Sequence, residues 1–364
     1  MLLKNTLIFI VHLLCTAVLV KGVSIFCPYF SICYYASIVD WITGFLIAVF
    51  TFKFIKKNLL NERLSPKNKA VLITGCDTGF GHLLAKHLDS KGFIVFAGCL
   101  FPNGNGASQL KEACSKNLKI IKLDVTKDED VKQAKEFVME NLGEAELWAI
   151  VNNAGILRGL SIETTRFQDF IDSLEVNTLG VVRVTQAFLP LLRKSKGRVV
   201  NITSMAGRTK FTFMAPYYMS KHAAVAFNDC LRREMEDWGV KVISIEPDFF
   251  ATQLVNNELV NKTIDQTISF VPDDIRSDYG ENYLNSFKTT KNYFFCFKGS
   301  NTNTVINDID SAITLKYPDI IYEPRASYFT AIASKIYMKL PYELKDLFIR
   351  IFQLVLRFPK PITA

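Results

Sequence analysis

Residues 69–92 read KAVLITGCDTGFGHLLAKHLDSKG. A short apolar run, Ala70–Ile73, leads into the glycine-rich TGCDTGFG of Thr74–Gly81, and the residues beyond place their apolar groups at helical spacing. The order is strand, turn, helix. Gly75 permits a tight turn, Gly79 lets backbone approach a pyrophosphate, and Gly81 lets the helix pack closely on the strand. The helix N-terminus then faces the phosphates, where its unpaired N–H groups and dipole favour negative charge. Three glycines alone are weak evidence; between a strand and a helix they mark a nucleotide-binding unit.

The alternation continues outward. Phe93–Cys99, Leu118–Val125, Leu147–Val151, Gly197–Thr203 and Val240–Ile245 read as strands two to six, with helical patterns between them. Strands alternating with helices predict an α/β fold: a Rossmann-type doubly wound parallel sheet with helices on both faces. Ligands bind such sheets at the carboxyl ends of the strands.

Before this unit lies a different kind of chain. Thr6–Val20 is apolar apart from His12, and Ile32–Phe52 carries Asp40 as its one charge. A spanning helix needs about 20 residues, so residues 1–65 are expected to form a membrane anchor with one or two transmembrane segments. Residues 1–70 hold eight basic and two acidic side chains, which is six of the eight net positive charges of the whole chain. The basic excess therefore flanks the membrane segment, and a nucleic-acid partner is not expected. Lys53, Lys56, Lys57 and Arg63 directly follow the second stretch, and the positive-inside bias puts them on the cytoplasmic side. The expected location is the endoplasmic reticulum with the catalytic domain cytosolic, a mitochondrial membrane being the alternative. The eight cysteines form no CxxC pair and the four histidines no HExxH; free thiols and no metal are expected.

Polar residues gather at the predicted strand ends: Asn152-Asn153-Ala154-Gly155 after strand four, Thr203-Ser204 at strand five, and Pro247 and Thr252 after strand six. Asn177 lies in the helix before strand five, and Tyr217 and Tyr218 precede Lys221 in APYYMSKHAA (215–224). Either tyrosine shares a helix face with the lysine, so spacing alone does not choose between them.

This set resembles the short-chain dehydrogenase/reductase family from about Lys69 to Thr252. The family's TGxxxGxG fits Thr74–Gly81, its NNAG fits 152–155, and its YxxxK fits Tyr217–Lys221, with Ser204 13 residues before the tyrosine. Stretches such as KAVLITGCDTGFG, FLPLLRKSKGRVVNITSM and FNDCLRREMEDWGVKV are similar to the branch that contains steroid, retinol and D-hydroxybutyrate dehydrogenases. The resemblance implies that Tyr217 is the proton donor or acceptor, that Lys221 eases its ionisation, that Ser204 orients the substrate oxygen and that Asn177 anchors a water leading to Lys221. A cation within roughly 4–6 Å lowers an acid's pKa by about 1–3 units. The cofactor implied is NAD, with NADP not excluded. It would be held by Thr74, Gly75, Asp77, Thr78, Gly79, Phe80 and Gly81, by Asp124 and Val125 near the adenine, and by Asn152, Asn153, Ala154 and Gly155. Tyr217, Lys221, Pro247 and Thr252 would hold its nicotinamide end. The segment after strand two, Gly98-Cys99-Leu100-Phe101, has neither the acid typical of NAD enzymes nor an arginine for a 2'-phosphate. The chain departs from the family at Asp248, where Pro-Gly is usual.

The expected domain of residues 66–325 includes a substrate lid at about 253–310. Residues 326–364 interleave aromatic, aliphatic and basic side chains, which suits a segment lying on a membrane with its cations reaching the headgroups. The substrate expected is a lipid-like alcohol or ketone of the steroid or retinol class, with membrane lipid as a partner and a homodimer or homotetramer allowed. A short hydroxy acid such as D-3-hydroxybutyrate would need a cation, for which Arg158, Arg208 and Lys210 are the candidates. A fatty acyl or sphingoid ketone shares every motif, and a catalytically silent cofactor-binding scaffold is the alternative of another class.

Overall fold

Apolar residues of β1 (Lys69–Thr74) alternate between two cores. In the computed structural model, Val71 and Ile73 pack with Leu84 and Leu88 of α1 (Gly79–Ser90), Leu110 of α2 (Asn105–Ala113) and Ile309 of α10 (Asn303–Thr314). Ala70 and Leu72 point the other way, toward Val131 of α3 (Asp128–Asn141), Phe188 of α5 (Gly180–Ser195) and Leu231 of α6 (Ala215–Glu234). A strand buried on both faces is apolar throughout, which is why these strands read as continuous runs rather than alternations. Each fully buried leucine or phenylalanine contributes roughly 1.5–3 kcal/mol.

The structure describes residues 44–52, 61–252, 257–296, 299–355 and 358–363. The chain divides into two compact units, Met1–Leu64 with Leu315–Tyr317, and Ser65–Thr314 with Pro318–Ala364. In the first, residues 44–52 are helical, and the ammonium of Lys316 donates to both carboxylate oxygens of Glu62 at 2.9 Å. The expected span at Thr6–Val20 lies outside the described residues, as does most of that at Ile32–Phe52. Among the described residues no helix is long and apolar enough to cross a membrane.

The second unit carries the sheet. Its seven strands are parallel in the order β3-β2-β1-β4-β5-β6-β7, with β2 Ile94–Cys99, β3 Leu118–Lys122, β4 Glu146–Asn152, β5 Arg198–Ile202, β6 Lys241–Ile245 and β7 Ile321–Tyr322. The order reverses between β1 and β4, the switch point where a doubly wound sheet opens a crevice at its carboxyl edge. Six of these strands fall where the apolar runs predict them. β7, two residues joined to Ser244 and Ile245, is too short to leave a periodic signal.

Between β6 and β7 the chain forms α7 (Asn257–Ser269), α8 (Asp273–Tyr279), α9 (Glu281–Cys296) and α10. The expected lid range of 253–310 takes in the start of α10, whose Val305, Ile306 and Ile309 are buried in the core. Their helical spacing belongs to a core helix. After β7 come α11 (Tyr328–Lys339) and α12 (Tyr342–Val355), in which Phe329, Ile336, Leu347, Ile351 and Leu354 are exposed.

Candidate active site

The glycine turn is built to stay open. Gly75 and Gly79 have φ of +70° and +64°, which side chains rarely adopt. Thr78 precedes α1 in extended backbone, and no side chain caps the helix's first turn or places an acid there. Its leading N–H groups and dipole make that end a ready anion site. A methyl at Gly81 would fall 2.4 Å from the Gly75 carbonyl oxygen and 2.5 Å from Nδ2 of Asn153. This glycine is needed so that α1 can close on the turn itself.

The turn forms one wall of a cavity of about 330 Å³ at the carboxyl edge of the sheet. Gly75, Asp77, Thr78, Gly79 and Phe80 line it together with Asp124, Val125, Asn153, Ala154 and Gly155. Ser204, Tyr217, Lys221, Pro247, Asp248 and Thr252 complete the opposite set. The cradle, the uncapped helix end and the lining of the cleft fit a dinucleotide.

Four expected site residues lie behind the lining. Thr74 Oγ1 accepts the backbone N–H groups of Asn153 and Ala154 at 3.0 and 2.9 Å, tying β1 to the NNAG turn. Asn152 donates to Thr185 and Asn201 at 3.0 and 2.8 Å inside the core. Gly81 packs as above. Asn177 sits in a π-helical turn, Glu175–Leu179, its side chain accepting from Ile156 N at 2.8 Å and donating to Ile156 O and Ser220 Oγ at 2.9 Å. Its carboxamide thus holds the chain after the NNAG turn.

The two tyrosines, equivalent by spacing, are separated by their surroundings. Tyr217 hydrogen-bonds Ser204, and the Lys221 ammonium lies 5.9 Å from its ring centroid. Tyr218 instead hydrogen-bonds the Phe211 backbone. Ser204 Oγ accepts from Ala206 N at 3.0 Å, and Lys221 Nζ donates to the Ile202 carbonyl at 3.0 Å. The electrostatics differ from the expectation that Lys221 brings the tyrosine down. Burial pushes Tyr217 above its ordinary value, only partly offset by the Ser204 bond. The same burial lowers Lys221 to about 8. Both charged forms lose water in this cleft, and that desolvation is the leading cause of each shift.

Asp248 does not point its charge at the cleft alone. Its carboxylate oxygens accept the Ala326 N–H at 2.9 and 3.0 Å, while its own N–H donates to Pro324 O at 3.2 Å. The carboxylate thereby fastens the segment between β7 and α11 to the loop after β6. Asp248→Gly is expected to cost about 1–2 kcal/mol through the lost acceptor, read as a lowered Tm, with NAD affinity unchanged. A tenfold change in NAD affinity at unaltered Tm would instead mean that the carboxylate acts on the nicotinamide.

A second cavity, of about 350 Å³, shares Ile156, Leu157, Met214 and Phe249 with the first. Its further walls include Leu160, Phe213, Ile264 and Phe287, all four meeting in one apolar cluster. Ile264 and Phe287 fall in the expected lid range, whereas sequence reading passes over Leu160 and Phe213. The run Phe211-Thr212-Phe213-Met214, midway between Ser204 and Tyr217, was the available signal. Of the three candidate cations, Arg208 chelates Glu246 and Arg158 lies 3.9 Å from Asp169, while Lys210 sits over the Tyr342 ring.

Comparison with known proteins agrees with this architecture. The family model described as short chain dehydrogenase matches residues 69–263. Rat (Rattus norvegicus) mitochondrial D-beta-hydroxybutyrate dehydrogenase is 42% identical over 301 residues, covering 78% of this chain and 88% of the relative. Mouse (Mus musculus) estradiol 17-beta-dehydrogenase 2 is 38% identical over 285 residues, covering 78% and 75%. The crystal structure of a short chain dehydrogenase/reductase from Burkholderia phymatum in complex with NAD shares the fold, with a TM-score of 0.61 at 18% identity over 78% of this chain and 96% of that one. The glycine turn, the sheet order and these relatives converge: the chain belongs to the short-chain dehydrogenase family, whose enzymes act on CH–OH groups with NAD or NADP.

Proposed function

We propose that this protein is a membrane-anchored, NAD-dependent dehydrogenase that interconverts a secondary or allylic alcohol of the steroid or retinol class with its carbonyl. The observation that carries this reading is the second, mostly apolar cavity, which shares Ile156, Leu157, Met214 and Phe249 with the cleft that Tyr217 lines. Its wall of Leu160, Phe213, Ile264 and Phe287 suits a large hydrocarbon body, and its exit from water would supply the binding energy.

Hydride transfer is the chemistry a nicotinamide supplies when bound. The chain's own residues handle the proton and the oxygen. Ser204 and Tyr217, already hydrogen-bonded to each other, together hold the carbinol oxygen. Tyr217 takes the hydroxyl proton during oxidation and returns it during reduction. Lys221 stabilises the phenolate, and an oxidised nicotinamide would add a positive charge beside it. Asn177, through its grip on Ile156, keeps the floor between the NNAG turn and α6 in place.

D-3-hydroxybutyrate is the second reading, favoured by the similarity to the rat enzyme. A buried carboxylate needs a paired cation. Arg208 is matched to Glu246, while Arg158, 3.9 Å from Asp169, and Lys262 line the second cavity. The apolar substrate is therefore favoured by the aliphatic and aromatic wall and not by a lack of cations. The intact Ser204–Tyr217–Lys221 grouping speaks against a silent scaffold. For the anchor, the apolar stretches before residue 53 and the basic residues after it support attachment to the endoplasmic reticulum, with the exposed aliphatic face of α11 and α12 resting on the same membrane.

The deciding experiment measures NADH formation by full-length protein in detergent with estradiol, testosterone, retinol and D-3-hydroxybutyrate. Turnover of an apolar alcohol, with the protein sedimenting with membranes after carbonate washing, is the expected result. Turnover of hydroxybutyrate alone would replace the substrate class, and release by carbonate would remove the anchor.

A further inference from the structure

The end of β2 is the place to look for coenzyme choice. In dinucleotide-binding folds an acid at that strand end, about 20 residues after the glycine turn, takes the adenosine ribose hydroxyls, and an arginine there accommodates a 2'-phosphate. Here Leu100, Phe101, Pro102 and Asn103 follow the strand, and none of them is charged. A carboxylate is nevertheless fixed at that point. Asp77, within the glycine turn, accepts the backbone N–H of Leu100 at 2.8 Å on one oxygen and that of Phe101 at 2.9 Å on the other.

We infer that Asp77 stands in for the missing strand-end acid and selects NAD over NADP, accepting a ribose hydroxyl and repelling a 2'-phosphate. The inference rests on the reading of the cavity as a dinucleotide site for NAD and adds the residue that makes the choice. Asp77 and Leu100 both line that cavity. A carboxylate offers about four acceptor positions, so two remain for hydroxyl groups after the backbone bonds are made. The group cannot swing aside easily. Its two oxygens are held by consecutive N–H groups, and α2 closes on its backbone so tightly that a methyl at Gly106 would meet the Asp77 carbonyl oxygen at 1.9 Å. Its negative field is felt nearby: after burial, Asp77 is the next cause raising the Cys99 thiol to about 12. Among the described residues Lys221 is the one cation of the lining, and it sits beside Tyr217. Lys111 acts on Cys99 from α2 but does not line the cavity.

The test is equilibrium binding of NAD and of NADP to full-length protein without substrate, by titration calorimetry, for wild type and Asp77→Asn. Wild type is expected to prefer NAD. The asparagine keeps the shape but loses the charge and one of the two backbone acceptors, and the NAD-to-NADP affinity ratio should fall about 10-fold or more, chiefly through tighter NADP binding. A second measurement needs no variant: raising salt from about 0.05 to about 0.5 M should shrink the wild-type ratio, because added salt screens the repulsion. An unchanged ratio in folded Asp77→Asn, or a wild-type ratio indifferent to salt, overturns the role of Asp77. Failure of wild type to bind either coenzyme overturns the dinucleotide site itself, and this inference with it.

Discussion

Tyr217→Phe is expected to lower turnover by about 10²–10⁴-fold, the usual worth of a positioned general acid–base, while leaving NAD affinity and Tm nearly unchanged. The phenyl ring preserves the packing, and only the hydroxyl that meets Ser204 is lost. Tyr218→Phe, by contrast, removes a bond to the Phe211 backbone and should leave the pH profile intact. That profile has a definite sign. Oxidation needs the phenolate, and burial holds Tyr217 above its ordinary value, so oxidation should rise with pH while reduction falls. Lys221 loses its charge near 8, so its support for the phenolate fades above that pH and the rise in oxidation should flatten there. Rates in both directions between pH 6 and about 10 check this. A flat profile, or full activity in Tyr217→Phe, would sink the assignment.

What could be read beforehand follows a physical division. Strands buried on both faces announce themselves as apolar runs, and glycines at positive φ announce a turn no other residue builds cheaply. The sheet and the glycine turn were therefore legible from residues 69–245. Contacts between distant segments were not. Nothing near Asp248 says that it will meet Ala326, 78 residues later. Nothing in the glycine turn says that Asp77 will supply the charge that Leu100 and Phe101 lack. The choice between Tyr217 and Tyr218 had the same character. Spacing leaves it open, whereas Ser204 and the Phe211 backbone, brought in by tertiary packing, decide which hydroxyl faces which partner. Of the apolar chamber's walls, α7 and α9 fell within the expected substrate lid of 253–310, whereas the 211–214 segment carries no motif and was passed over.

Arg208→Met should destabilise the protein by about 3–5 kcal/mol, the cost of leaving a buried partner uncompensated, a fall in Tm on the order of 10 °C. Glu246 is 2% exposed. It accepts Arg208 Nε at 3.2 Å on both oxygens and Nη2 at 2.9 Å on one, with Ser244 Oγ adding a bond at 3.1 Å. Arg208 also reaches Asp229 at 3.6 Å, and its guanidinium is held above its ordinary pKa chiefly by the Glu246 bond. Removing the cation strands the carboxylate at the end of β6, immediately before the Pro247–Thr252 wall of the cavity. If this is the pair's role, Arg208→Met combined with Glu246→Met should recover most of the loss, since an apolar pair of similar volume is often no less stable than a buried ion pair. Arg208→Lys should fall between, because it keeps the charge but not the two-pronged geometry. The same variants weigh the two substrate readings. Were Arg208 the receptor for a hydroxy acid, its loss would raise KM for D-3-hydroxybutyrate at an almost constant Tm, and the double variant would restore nothing. A large Tm loss, rescued in the pair and accompanied by no selective KM effect, leaves a short acid without this cation and strengthens the case for an apolar alcohol in the apolar chamber.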